Sequence, residues 1–128
     1  MLARQFMGAP SSDPLLVKQA ELLLTTLPKW EAKNHPSESP QNPYYWYYGT
    51  LSMFQMGGRH WQLWNESLKP VLLTNQCKGG ALDGSAGDKD GSWDCEMGWA
   101  PTGGRVYTTA INALSLEVYY RYLPMYAK

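Results

Sequence analysis

Asn42-Pro43-Tyr44-Tyr45-Trp46-Tyr47-Tyr48-Gly49-Thr50-Leu51-Ser52-Met53-Phe54-Gln55-Met56-Gly57-Gly58 is the stretch from which the architecture is read. The Asn42 side chain can accept from the N–H groups that a first helical turn leaves without partners. Pro43 suits the first helical position, where its missing N–H is not needed. At the far end, Gly57 and Gly58 suit a left-handed C-terminal cap. The stretch therefore predicts a helix over 43–56. No charged residue falls between Tyr44 and Gly58, so this helix must be covered on most of its sides.

Working outward, Asp13-Pro14 repeats the start signal. Leu15, Leu16, Ala20, Leu23, Leu24 and Leu27 then recur at helical spacing as far as Pro28, which predicts a helix over 14–27. A third helix is predicted over 59–75, with Trp61, Trp64, Leu68 and Leu72 on one face and Pro70 expected to kink or shorten it. The longest periodic stretch, 105–123, is stopped by Pro124 and carries only Arg105, Glu117 and Arg121 as charges. Between Cys77 and Gly104 lies an aperiodic Gly/Asp/Ser-rich loop. Helices 14–27 and 59–75 have one apolar and one charged face and read as outer; helices 43–56 and 105–123 read as inner. This alternation is what two layers of α-hairpins produce. Leu2-Ala3 with Met7-Gly8 aligns with Leu51-Ser52 and Met56-Gly57, and Leu51-Ser52 aligns with Leu114-Ser115. The chain is accordingly expected to open inside another inner helix, near 1–8, giving about five helices in one all-α domain over 1–128.

Composition narrows the partners. Eleven basic residues balance eleven acidic ones without a basic block, so an electrostatic grip on nucleic acid is not expected. No apolar run approaches the roughly 18 residues of a membrane span, and nothing addresses a compartment. Six Trp and nine Tyr against two Phe are wide rings with polar tips, suited to packing beside a hydrogen-bond partner.

Tyr44 to Thr50, Met56-Gly57-Gly58 with Trp61, Leu72 through Gln76 to Gly91-Ser92-Trp93-Asp94, and Gly103-Gly104-Arg105-Val106-Tyr107-Thr108-Thr109-Ala110 together resemble the prenyltransferase and squalene oxidase repeat proteins of the squalene–hopene (terpenoid) cyclase type. The resemblance implies an α/α toroid, of which this chain would be a C-terminal portion. It also implies that Leu72, Gln76, Gly91 and Trp93 form the structural QW tie between units, here with an insert from Cys77 to Asp90. The Gln amide of that tie bonds backbone groups at helix ends, and the Trp ring stacks over it. If Gln76 and Trp93 meet, Cys77 and Cys95 come close enough for a disulfide in an oxidising compartment.

The same resemblance supplies no active site. Cyclases of this type protonate their substrate with an Asp-x-Asp-Asp motif; Asp88-Lys89-Asp90-Gly91 is the nearest approach and lacks the last carboxylate. In the zinc-dependent protein prenyltransferases a His precedes a Thr at the start of an inner helix, and here Tyr107 precedes Thr108. His35 and His60 lie far from Cys95, so no zinc set is assigned. The acidic residues Asp83, Asp88, Asp90, Asp94 and Glu96 are read as a solvated turn, because Trp93 holds the place where an EF-hand needs glycine. No catalytic residue, metal or cofactor is assigned.

Candidate binding residues are Tyr44, Tyr45, Trp46, Tyr47 and Tyr48 with Arg105 and Tyr107. Five consecutive aromatics cover every side of a helix, so most are expected to fill the space between layers. Some would remain for a cavity in which a polyprenyl or other apolar ligand lies. Arg105 beside two glycines is read chiefly as a close backbone approach with a salt bridge, and secondarily as an anion site. A closed toroid needs more than twice this length, and the bare flanks of a cut arc are expected to pair, through residues such as Leu2, Phe6, Leu116, Tyr119 and Leu123, as a homodimer or with the rest of a parent protein. The resulting expectation is a non-catalytic repeat segment that binds an apolar small molecule or a protein. Its alternative is one cavity wall of a cyclase or prenyltransferase whose catalytic motif lies elsewhere.

Overall fold

A computed structural model describes residues 1–30, 42–78, 89–94 and 100–121, apart from the side chains of Ala100, Tyr119 and Arg121. Five helices and no strand occur among them: α1 (Leu2–Phe6), α2 (Pro14–Leu24), α3 (Pro43–Met56), α4 (Gly58–Asn75) and α5 (Ala100–Arg121). Helix α3 begins as its sequence dictates. Asn42 Oδ1 accepts from the backbone N–H of Tyr44 at 3.1 Å and of Tyr45 at 3.2 Å. It ends at Gly57, whose φ of 66° is open to glycine at little cost, and α4 starts at the next residue.

Every residue of α3 from Gly49 to Met56 is buried, and this helix touches all four others. The main core gathers Leu16 and Ala20 of α2, Trp46, Met53 and Met56 of α3, and Trp64, Leu68 and Leu72 of α4, closed by Trp93. A second, smaller cluster joins Leu51 and Phe54 to Val118 of α5. Helix α3 therefore needs uncharged side chains around its circumference, and the absence of charge from Tyr44 to Gly58 is the sequence form of that requirement.

Three boundaries, and the effect of Pro70, differ from the sequence expectation. Helix α1 spans 2–6, not 1–8: the Gly8 N–H turns back to the Gln5 carbonyl at 3.0 Å, and Gly8 itself has a φ of 96°. Helix α2 stops at Leu24, not 27, because the Thr25 and Thr26 amides bond the Leu22 and Leu23 carbonyls in a tightened last turn, and the Thr25 hydroxyl joins Leu22 at 2.7 Å. Pro70 does not end α4; it lies on the exposed face, where the carbonyl one turn back at Glu66 can be hydrated. Residues 100–103, expected within the loop 77–104, are helical, and Gly104 (φ 70°) breaks them from the body of α5. The body extends through Arg121, and residues 122–123 of the expected helix lie outside the described residues.

At Gly49 the Trp64 ring of α4 packs directly on the backbone of α3. A Cβ there would stand 2.5 Å from Cζ2 of Trp64, so only glycine admits the indole ring at this depth. The ring is then fixed by its Nε1–H, which donates to the Thr50 hydroxyl at 2.9 Å, and that hydroxyl donates to the Trp46 carbonyl at 2.6 Å. Gly49→Ala should lower the denaturant midpoint. Its steric cost of about 1–3 kcal/mol exceeds the roughly 1 kcal/mol gained in helix propensity. Trp64→Phe in the same chain should recover part of the loss, as a double-mutant cycle would show.

At the start of α2, Asp13 accepts from Leu15 N–H at 2.8 Å and Leu16 N–H at 3.2 Å and pairs with Arg4 of α1 at 3.1 Å. The bond from Arg4 and the two backbone donors hold its carboxyl below the ordinary value of 3.8. Its contribution is therefore complete above that value and is lost as pH falls through the depressed one. The stability gap between the wild type and Asp13→Asn should shrink from pH 6 to about pH 3, as urea titrations at the two pH values would show.

Candidate ligand groove and its support

The aromatic run at the start of α3 divides by direction. Trp46 is fully buried and meets Trp30 with ring centroids 6.0 Å apart. Tyr45 sets its ring edge-on to Trp64 at 5.7 Å and donates its hydroxyl to the Thr26 carbonyl at 3.0 Å; burial raises its phenol above the usual value. These two rings belong to the contact with α2 and α4. Tyr44, Tyr47 and Tyr48 instead turn toward α5. Tyr44 and Tyr48, one turn apart, have centroids 4.6 Å apart at 52°, and Tyr47 meets Tyr48 at 5.2 Å and 70°. The neighbouring Tyr44 hydroxyl raises the Tyr48 phenol above its usual value.

Opposite them, α5 presents Tyr107, Ala110, Ile111 and Leu114, spaced as one helical stripe. Together with the three tyrosines these residues line a cavity of about 240 Å³. A second cavity of about 510 Å³ is lined by Tyr44, Thr102, Gly103 and Tyr107. The two share Tyr44 and Tyr107 as walls and lie side by side between α3 and the start of α5; together they are called the groove. The Tyr107 ring packs directly on Gly103, where an added Cβ would stand 2.6 Å from it. None of the described lining residues is charged. Of the candidates read from sequence, Tyr44, Tyr47, Tyr48 and Tyr107 come together here, whereas Tyr45, Trp46 and Arg105 do not. Ala110, Ile111 and Leu114 were readable from the period that begins at Tyr107. Thr102 and Gly103 were not, since they fall in a stretch read as loop.

The body of α5 is held by residues 89–94. Trp93, almost wholly buried, donates its indole N–H to the Leu72 carbonyl at 2.8 Å. That carbonyl is among the last four of α4, which a helix leaves without an internal partner. Gln76 Nε2 donates to the Gly91 carbonyl at 2.8 Å, and Cys77 exchanges backbone bonds with Gly91 and Ser92, each 2.8 Å long. Leu72, Gln76, Gly91 and Trp93 thus meet in one place, although the Gln76 bond is exposed, not buried. Arg105 completes the clasp. Its Nη1 donates to Ser92 Oγ at 2.8 Å and toward Cys77 Sγ at 3.6 Å, and its Nη2 pairs with Asp94, the bond that chiefly raises the guanidinium above its usual value. The charge of Arg105 is thereby committed to Asp94. Of the pair Cys77 and Cys95, only Cys77 lies within the described residues.

Among the described residues no group of three or more His, Cys, Asp or Glu side chains could hold a metal ion. His60 contacts Glu21 at 2.9 Å beside Arg59, an α2–α4 tie. His35 and Asp88 lie outside the described residues. No described helix is long and apolar enough to cross a membrane. Phe6 is exposed and Leu2 and Leu116 are half-buried, while the Tyr119 side chain and Leu123 fall outside the described residues.

No family model, curated protein or solved structure matches the chain. The site therefore has to be argued from its own geometry.

The clasp makes a ranked prediction. Trp93→Ala should cost most, about 3–5 kcal/mol, through the emptied core position. Trp93→Phe should lose about 1–3 kcal/mol with the indole bond to Leu72. Gln76→Ala, whose bond is exposed, should cost only about 0.5–1.5 kcal/mol. Guanidinium denaturation of the three variants gives the order.

Proposed function

We propose that this chain is a non-catalytic, ligand-binding repeat segment whose groove between α3 and α5 takes an elongated apolar molecule. The observation that carries this reading is the pair of cavities sharing Tyr44 and Tyr107, whose described lining consists of aromatic rings, aliphatic side chains and small residues without a carboxylate or a cation. The described walls hold no carboxylate, imidazole, thiol or cation, and no such group stands beside their phenols or the Thr102 hydroxyl in the described lining, which favours binding over catalysis. The reading places α1, α3 and α5 in an inner layer and α2 and α4 in an outer one, as in a partial α/α toroid of the terpenoid-cyclase type. It is supported by the contacts of α3 with α1 and α5 and of α2 with α4. In that arrangement the groove lies on the inner side, and the clasp of Leu72, Gln76, Gly91 and Trp93 serves as the tie between units.

Farnesol serves as the probe, titrated into the protein by isothermal calorimetry. Saturable binding is expected, weakened at least about tenfold by Ala110→Trp, which fills the groove from the α5 side. Tyr45→Phe, altered on the opposite side of α3, should bind as the wild type does. Absence of binding, or an unchanged affinity in Ala110→Trp, would overturn the reading.

A further inference from the structure

We infer that the tyrosine-lined end of the groove is a cation cage, and that the ligand is an amphiphile carrying a bare trimethylammonium head on an apolar tail; this rests on the groove reading above. Size separates the two ends. The 240 Å³ cavity is smaller than the roughly 300–1,000 Å³ of a complete small-molecule pocket and suits a headgroup, while the adjoining 510 Å³ cavity gives the tail an apolar bed.

Chemistry separates them further. Four tyrosines, Tyr44, Tyr47, Tyr48 and Tyr107, surround the smaller cavity, in a chain that has only two Phe among its aromatic residues. A slot for hydrocarbon alone needs no ring faces, since Leu or Ile would line it as well. Ring faces, by contrast, carry the negative part of the aromatic quadrupole and attract a cation lying within about 6 Å. Tyr47 meets Tyr48 edge to face at 70° and Tyr44 meets Tyr48 tilted at 52°, so the three α3 rings do not form a flat stack. An edge-to-face pair cannot cover both faces of both rings, which leaves π-surface for a ligand.

The charge pattern then selects the head. Among the described residues lining either cavity none is a Lys, an Arg or a carboxylate, so none of these side chains repels a cation or pairs with an anion. A primary ammonium would lose hydrogen bonds to water that these walls replace poorly. A methylated one, which has no N–H to satisfy, does not. A phosphocholine head would bring a phosphate that needs a positive partner, and Arg105, the charged residue nearest in sequence to Tyr107, is engaged by Asp94 and Ser92. The bare cation is thus preferred over the zwitterion.

The test compares matched ligands by proton NMR titration of the whole chain, with farnesol as the reference for the groove. Choline should bind more tightly than its carbon isostere 3,3-dimethylbutan-1-ol, although the isostere is the more hydrophobic of the two. Octyltrimethylammonium should bind at least about tenfold more tightly than octyl sulfate or octylphosphocholine. The N-methyl protons should move upfield, as protons over ring faces do. Tyr48→Phe should keep the preference and Tyr48→Leu should reduce it. If Tyr107→Leu folds, as its circular dichroism would show, it should do the same. An isostere that equals choline, an octyl sulfate or octylphosphocholine that equals the ammonium, or a Tyr48→Leu variant with the preference intact would overturn the cage. Farnesol binding that persists through any of these results leaves the apolar groove standing, whereas loss of farnesol binding as well removes both.

Discussion

The indole of Trp64, seated against the bare Cα of Gly49 and held by the Thr50 hydroxyl, is the contact on which the rest of the molecule depends. It sets the distance between α3 and α4, and through α4 it fixes where the carbonyl of Leu72 lies. That carbonyl receives Trp93, and the segment around Trp93 in turn receives Arg105 at the start of the α5 body. The position of Tyr107 opposite Tyr44 is the last step of this chain. The groove is thus a product of packing on the other side of α3: Tyr45 and Trp46 are drawn toward Trp64 and Trp30, and the neighbouring rings are left facing α5.

Much of this was legible in the residues because it is local. Asn42-Pro43 and Gly57-Gly58 delimit α3 through groups that act within one turn, and the missing charge from Tyr44 to Gly58 announces a helix buried around its circumference. The division of the aromatic run was not legible. Five consecutive rings have no period, so which of them faces which neighbour is decided by partners far along the chain. Pro70 misled in the other direction. Its penalty depends on whether the carbonyl it orphans can reach water, and exposure is a tertiary property. The helical turn at 100–103 was hidden by Gly103 and Gly104, which in a sequence signal a loop; here the first accommodates the Tyr107 ring and only the second has a φ of 70°.

Arg105 shows how a residue changes meaning with context. Beside two glycines at a helix start it offers an anion site or a salt bridge, and spacing alone leaves both open. The segment 89–94 decides between them by bringing Ser92 and Asp94 to the guanidinium. Asn112 marks a different limit of sequence reading. It is fully buried on α5 with both amide atoms unpartnered, and nothing in the period of that helix singles it out.

The uncharged surface of α3 also has a temporal side. Its contact with α4 closes across a two-residue glycine corner, whereas Val118, its cover on the other side, is encoded more than sixty residues after Leu51 and Phe54. At about 5–20 residues per second of synthesis, one flank of the nascent helix waits several seconds for its partner. During that interval Tyr44, Tyr47 and Leu51 form an oily strip on an otherwise settled hairpin. The ribosome would thus release this chain through a stage in which it is most adhesive on the side destined to become its groove.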